Sequence, residues 1–422
     1  MNPTRTLVLV ASVLTLGWAS TPVHAQGGSL TPPGAPSPSM RSLQEIWDKL
    51  EQMDATNQTL QSKLDSQRGL IEGLVQVNGV LLESLGIQIP WEISIIDTGN
   101  VGADNSAAFS PNGTPAVAYR DTTNQRLMYA EYHDGTWIKT VADDDGDVGR
   151  LCSLAFNASG HPAIAYYDAT DDDLLYAEFD GAVWQVQTVD APGNVGGSNQ
   201  LKFTSDGRPA IAYRDVGNGT IKYAEFNGAS WDTEAVDTGT DTPQSVKGFD
   251  LDANDHPAIA YFESTADDLK IAVFDGATWQ IQTIASTDNV GVDHDFEFGL
   301  NDLPTACYRD ATNQRLMIAT YDGVSWNSSI VDDSANNGRL CSLAFTALGH
   351  PAIAYFGNNS ADLLYASFNG TAWTVSTIVS AGNVAGQCNL VHGPFGEPGI
   401  IYRNSADSTL RFALRRPFHS GN

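Results

Sequence analysis

LCSLAFNASGHPAIAYYDATDDDLLYAEFDGAVWQVQTVD, residues 151–190, contains four short apolar runs, Leu151–Phe156, Pro162–Asp168, Leu174–Phe179 and Trp184–Val189, separated by Asn, Gly and Asp turns. Runs of this length bounded by turn residues read as strands, and four of them in one unit make an antiparallel meander. The unit recurs. Its turn proline stands at Pro115, Pro162, Pro209, Pro257, Pro304, Pro351 and Pro398, with spacings of 47, 47, 48, 47, 47 and 47 residues. That period fits a propeller blade and is too long for a β-helix coil, so the spacing predicts an all-β, seven-bladed β-propeller of four-stranded blades over residues 91–416.

A second marker predicts how the ring closes. The fourth run opens on Trp in G-x-x-W at Trp137, Trp184, Trp231, Trp279, Trp326 and Trp373, but the seventh unit ends in LRFALRRPFHSGN without one. The missing copy is Trp91, in WEISIIDTGNV, which matches WIKTVADDDGDV after the first unit. The N-terminal strand therefore completes the last blade and removes the open sheet edges. GRLCSLAF at 149–156 returns at 338–345, and NQRLM at 124–128 returns at 313–317, so a block of four blades was duplicated.

The meander sorts side chains onto two faces. One holds the G-x-P turns, with His161, His256 and His350 as turn residues, and the D-G-x-x-W hairpins, whose tryptophans are expected to pack between sheets. The other collects the ends of the second strands, where blades 1, 3, 5 and 7 carry Arg and blades 2, 4 and 6 an aromatic. Arg offers a fork of donors to carboxylates or sugar hydroxyls, and an adjacent carboxylate accepts from hydroxyls. The candidate ligand-binding residues are Arg120, Asp121, Tyr167, Asp168, Arg214, Asp215, Arg309, Asp310 and Arg403. The competing reading is structural, with each Arg stacking on the next blade or pairing with the Asp that follows it.

Ten residues before each Pro, a ring of Asn105, Cys152, Asn199, Lys247, His294, Cys341 and Cys388 should line the central channel. Cys341 and Cys388 lie on adjacent blades and could meet as a disulfide in an oxidising compartment. No catalytic motif is found, neither G-x-S-x-G, H-E-x-x-H nor a phosphate-binding Gly loop. No cofactor or metal is expected. Calcium (Ca2+) is considered only at DDDGDVG, residues 143–149, whose Gly and carboxylate offsets differ from the EF-hand order and suit a solvated acidic turn.

Upstream, residues 1–25 follow the plan of a secretory signal peptide: Arg5, an apolar run from Leu7, and Val23-His24-Ala25 before the cleavage point. Residues 26–42 are a Pro, Gly and Ser rich linker. Over 43–86, Leu43, Ile46, Leu50, Met53, Asn57, Leu60, Leu64, Gln67, Ile71, Leu74, Asn78, Leu81 and Leu85 keep alternating steps of three and four. This predicts a coiled coil about 64 Å long, with the polar seam residues suiting register control between chains, hence a homo-oligomer. The mature chain is expected outside the cytoplasm, secreted or periplasmic, without membrane insertion. A formal net charge of -28 disfavours nucleic acid and anionic lipid as partners.

The G-x-P-A-I-A-Y and F-D-G-x-x-W repeats resemble those of secreted bacterial seven-bladed propeller proteins over residues 91–416. More distantly, the hairpins are similar to the Asp-box of sialidases and the repeats of fucose-binding lectins. AEFDGAVW shares the Gly181 to Trp184 spacing of the box Ser-x-Asp-x-Gly-x-Thr-Trp but lacks its Ser and Thr, with Asp180 shifted by one. The resemblance implies a propeller that binds or cleaves glycans. The combined expectation is a secreted, non-enzymatic, lectin-like binding protein, multivalent through its coiled coil, that recognises a glycan or surface protein on the Arg-bearing face. The alternatives are a glycoside hydrolase or lyase of sialidase-like type, and a structural protein of the envelope or matrix.

Overall fold

Among the described residues, twenty-eight strands pair into seven four-stranded antiparallel sheets. The computed structural model describes residues 89–416 apart from 238–242, 288, 301, 335–336, 358–361 and 381–383, together with Lys49, Gln52 and Lys63, each helical. The chain divides into two units, Met1–Asp65 and Ser66–Asn422, and the sheets belong to the second. The signal peptide, linker and coiled coil expected over 1–25, 26–42 and 43–86 lie outside the described residues, those three positions aside. No helix of the described residues is long and apolar enough to cross a membrane.

The second blade shows the plan. Its strands are Arg150–Phe156, Pro162–Asp168, Asp173–Phe179 and Trp184–Asp190, paired in sequence order and each within one residue of the expected bounds. First strands of neighbouring blades contact one another around the ring, so the first strand is innermost. The Asp-Gly hairpin between third and fourth strands is built locally: Asp180 accepts from the backbone N–H groups of Ala182 and Val183 at 2.8 and 2.9 Å, and Gly181 takes a φ of +98° that a side chain would strain.

The P-A-I-A-Y run explains how blades stack. In the second strand Ala163, Ile164, Ala165 and Tyr166 are all buried, and the pleat sends the two small residues to one face and the two large ones to the other. Ile164 and Tyr166 pack with Ala116 and Ala118 of blade 1, whereas Ala163 and Ala165 receive Ile211 and Tyr213 of blade 3. Large-into-small packing of this kind fills each interface without overpacking, and burying each Ile contributes about 2 kcal/mol.

Closure follows the predicted pattern. Glu92–Thr98 pairs antiparallel with Thr409–Leu414, and this N-terminal strand completes the sheet formed by Val384–His392 and Pro398–Asn404. The tryptophans pack between sheets as expected. Trp184 meets Tyr129 of the preceding blade edge-on at 5.4 Å, Trp231 meets Tyr176 at 5.2 Å, and Trp91 meets Tyr365 at 5.2 Å.

Candidate functional site

On the Arg-bearing face, the Tyr at the end of each second strand is buried, and five of the seven tie their blade to the one before. Tyr119, Tyr166, Tyr213, Tyr261 and Tyr355 donate to Asp97, Asp143, Asp190, Asp237 and Asp332 at 2.5 to 2.7 Å. Each Asp closes the fourth strand of the preceding blade, and Asp97 comes from the N-terminal strand. Burial first, then the carboxylate, holds the phenols of Tyr119, Tyr166, Tyr213 and Tyr355 protonated far above their ordinary range. Sequence reasoning missed this latch, although its signal is plain: an Asp six residues after Trp at five of seven copies, with Ala285 and Val379 as the exceptions.

The candidate carboxylates next in line are committed to their own turns. Asp121 accepts from the N–H groups of Thr123 and Asn124 and from Arg126 Nε; Asp168 from Thr170; Asp215 from Asn218; Asp310 from Asn313 and Arg315 Nε. Burial would raise the carboxyls of Asp121 and Asp310, but these donors outweigh it and hold both below the usual range. None of these donors is the Arg that precedes the Asp, so the pairing of each Arg with the following Asp is not among these contacts, because the turn reaches the carboxylate first.

Two of the arginines reach instead toward the connection to the next blade. Arg120 is buried and ion-pairs with Asp147, which also takes Arg150 at 2.7 Å. Arg403 donates from Nε to the carbonyl of Val101 at 3.1 Å, across the closure to blade 1. Arg214 and Arg309 hold the equivalent half-buried positions on blades 3 and 5. In blade 2, Tyr167 donates to Asp172, and burial followed by that carboxylate pushes the phenol up to about 12. Within DDDGDVG, Asp143 and Asp147 are thus engaged by Tyr166, Arg120 and Arg150, and among the described residues no group of three or more His, Cys, Asp or Glu could hold a metal.

The channel gathers residues from all seven blades. The predicted ring lines a cavity of about 90 Å³. Its cysteines are free. Cys341 donates to the carbonyl of Asp293 at 3.6 Å and Cys388 to that of Leu340 at 3.0 Å, each across an interface, so the thiols are spent on neighbouring backbone and no disulfide joins them. One residue further on, short polar side chains stitch inner strands together: Ser106, Ser153, Asp295, Ser342 and Asn389 accept from the next blade's backbone N–H at 2.8 to 3.0 Å.

Toward the G-x-P face a second cavity of about 350 Å³ opens. At its level the seven equivalent inner-strand positions divide: blades 3, 4 and 5 supply Lys202, Asp250 and Glu297, and the others supply Ala155, Ala344, Val391 and Ala108. Lys202 Nζ lies 3.2 Å from Asp250 and 3.8 Å from Glu297. Burial lowers the tendency of Lys202 to hold its proton, but the carboxylates outweigh it and raise its pKa. Glu297 is pushed up to about 8 by burial, against the pull of Lys202, and Asp295 to about 6, also by burial. His392, at the same mouth, is lowered to about 4 by burial and has both ring nitrogens without hydrogen-bond partners among the described residues.

No protein-family model matches the sequence, and no curated protein matches it. Among solved structures, an ulvan lyase, a polysaccharide lyase solved bound to -[GlcA(1-4)Rha3S]-, superposes with a TM-score of 0.54 at 11% identity, covering 76% of this chain and 95% of that one. A mutant of the Aleuria aurantia lectin in complex with Fucalpha1-6GlcNAc gives 0.48 at 13% identity, covering 68% and 98%. A protein of unknown function from Dyadobacter fermentans gives 0.48 at 11% identity, covering 76% and 97%. At these identities the likeness is one of fold.

Proposed function

We propose that the chain is an exported, non-enzymatic binding protein that presents its propeller on a coiled-coil stalk and takes a polyhydroxylated ligand, a glycan, at the central channel. The observation that carries this reading is the divided channel wall. A sugar ring has hydroxyls at its edge and C–H groups on its faces; Lys202, held by Asp250, and Glu297 offer polar groups on one side, while Ala108, Ala155, Ala344 and Val391 offer an apolar surface on the other. Arg120 and Arg403 give their donors to the next blade, which supports moving the ligand from the arginine row into the channel. The heptads over 43–86 would link several channels and raise a weak single-site affinity into useful avidity.

Glycan-array binding by the full chain tests this reading. Glu297→Gln should lose about tenfold, the scale of one buried hydrogen bond whose partner is left unsatisfied, while Arg403→Ala should leave binding unchanged. The opposite pattern returns the ligand to the arginine row. A second reading, acid–base cleavage of a glycosidic bond, is favoured by one observation: Glu297 is held protonated near neutral pH beside Asp295, whose pKa is lower. Turnover of a chromogenic glycoside that disappears in Glu297→Gln would replace the binding reading with this one.

A further inference from the structure

Blades 1 and 5 are copies of one another through the duplicated block, and they differ at the latch on the Arg-bearing face. In blade 1, the Asp97 carboxylate accepts from Tyr119 Oη at 2.7 Å, from Lys139 Nζ at 2.7 Å and from the backbone N–H of Thr98 at 2.9 Å. In blade 5, the matching position on the preceding fourth strand is Ala285, and Ser328 stands where blade 1 has Lys139. Carboxylate and ammonium are lost together. Tyr308 turns to Ser328 Oγ at 2.9 Å, and a cavity of about 460 Å³ opens between blades 4 and 5, lined by Ala285, Ser286, Thr287, Tyr308, Arg315 and Ser328 among others.

The other exception to the latch shows that loss of the Asp need not leave room. Between blades 6 and 7 the position is Val379, whose larger side chain packs against the cluster that holds Tyr402. Only an alanine at this site removes the carboxylate without substituting bulk for it.

We propose that this interblade cavity is a binding site for a carboxylate carried on a small molecule of sugar or amino-acid size, which takes the place of the absent Asp. Groups equivalent to those around the carboxylate in the latched interfaces line this cavity: Tyr308, whose phenol here bonds Ser328, and Ser286 and Thr287, which follow Ala285. The analogous connections donate from Thr98 to Asp97 at 2.9 Å, from Asp145 to Asp143 at 3.1 Å and from Ser334 to Asp332 at 2.9 Å. Arg315 is held in place by Asp310 at 3.0 Å, as Arg126 is by Asp121 at 3.1 Å in blade 1, so the fold already accommodates a second carboxylate beside that ion pair. The volume is far larger than the carboxylate alone and falls in the range of small-molecule pockets, which leaves space for the body that carries it. This site is separate from the channel, and neither depends on the other.

Thermal unfolding of the full chain tests the proposal with sodium acetate, glucuronate and glucose as probes and sodium chloride at equal ionic strength as reference. Acetate and glucuronate should raise the midpoint of the wild type by about 2 °C near saturation, glucuronate at the lower concentration, and glucose should not. Ala285→Asp supplies the carboxylate from within, so it should raise the midpoint unaided and abolish the increment from either acid. Should that variant fail to fold, Tyr308→Phe removes a donor and should reduce the increment by more than half. An equal increment in the wild type and in Tyr308→Phe, equal stabilisation by glucose and glucuronate, or no stabilisation by any acid overturns the proposal. None of these outcomes touches Glu297, so a failure here leaves the channel reading standing.

Discussion

The interface that closes the ring, between blades 7 and 1, and the one between blades 4 and 5 join equivalent surfaces but differ at two equivalent positions. At the closure, Asn389 accepts from the backbone of Ala107 at 2.9 Å near the channel, and Asp97 latches Tyr119 farther out. Between blades 4 and 5 the inner position is Gly248, tight against Phe296, and the outer one is Ala285. One interface has a polar bond at both of these positions; the other has one at neither, and its ties lie elsewhere, as where the Phe298 N–H donates to Asp250 at 3.0 Å. The difference shows that a propeller interface has more attachment than it needs. The repeat can give up its latch at one place and gain a cavity there while the ring stays intact.

The comparison breaks most sharply if the inner positions are exchanged. Gly248→Ser installs the residue that Ser106, Ser153 and Ser342 provide elsewhere, but its Cβ would meet the Phe296 backbone nitrogen at 2.7 Å. It should cost about 3 kcal/mol in a urea titration. A neutral result would mean the two interfaces are interchangeable. Removing the outer hydroxyl is the next test: Tyr119→Phe takes one of three donors from a part-buried carboxylate and should cost about 2 kcal/mol, whereas Tyr308→Phe gives up only a neutral hydrogen bond, worth about 1 kcal/mol or less.

Acid sharpens the same contrast. Burial would raise the Asp97 carboxyl, but Lys139, Tyr119 and the Thr98 N–H outweigh it and lower its folded pKa. Its contribution is therefore complete above the unfolded value, about 3.9, and is lost as the pH falls through the folded one. Ala285 has nothing to titrate, so Asp97→Ala should flatten the acid limb of the stability profile. Glu297 works in the other direction: its folded pKa is raised to about 8, so its contribution is complete below about 4.3 and is lost as the pH rises through the folded value. Glu297→Gln should flatten the profile between those limits. The smallest effect belongs to Lys139→Ser, which copies Ser328. Lys139 is 40% exposed, so its ion pair should be worth about 0.5 kcal/mol and should fade with added salt.

Strands, blade number and closure were legible because they rest on local pattern and on counting. A Pro every 47 or 48 residues sets the blades, and Trp91 is identified as the missing outer strand by its likeness to Trp137. Positions around the channel were legible for the same reason, since equal offsets from a repeated Pro place residues at equal depth. Partners were not. Arg120 pairs with Asp147, 27 residues on and in a connection without regular pattern, rather than with its neighbour Asp121, because the turn after Asp121 offers backbone donors first. The cysteines were placed correctly in the ring, yet their thiols point across interfaces to carbonyls, a direction that spacing does not encode. The latch and its omission at Ala285 were readable as a broken W-x5-D pattern, but the cavity depends on Ser328 being changed as well, and the two residues meet only across an interface.

The strand that completes the seventh blade is the first part of the propeller to leave the ribosome and the last to be used. Glu92–Thr98 has no sheet to join until Thr409–Leu414 exists, and their contact links residues more than 300 positions apart, as in the bond from Ser94 to the carbonyl of Phe412. Six blades can fold in order behind it, each bringing the two ends closer and reducing the entropy lost in the final pairing. Until then Tyr119 waits without its Asp and blade 1 has an uncovered flank. A chain stopped before Thr409 would lose more than its tail. Its first strand would be left with no place in any sheet, an exposed edge open to the same strand of another copy.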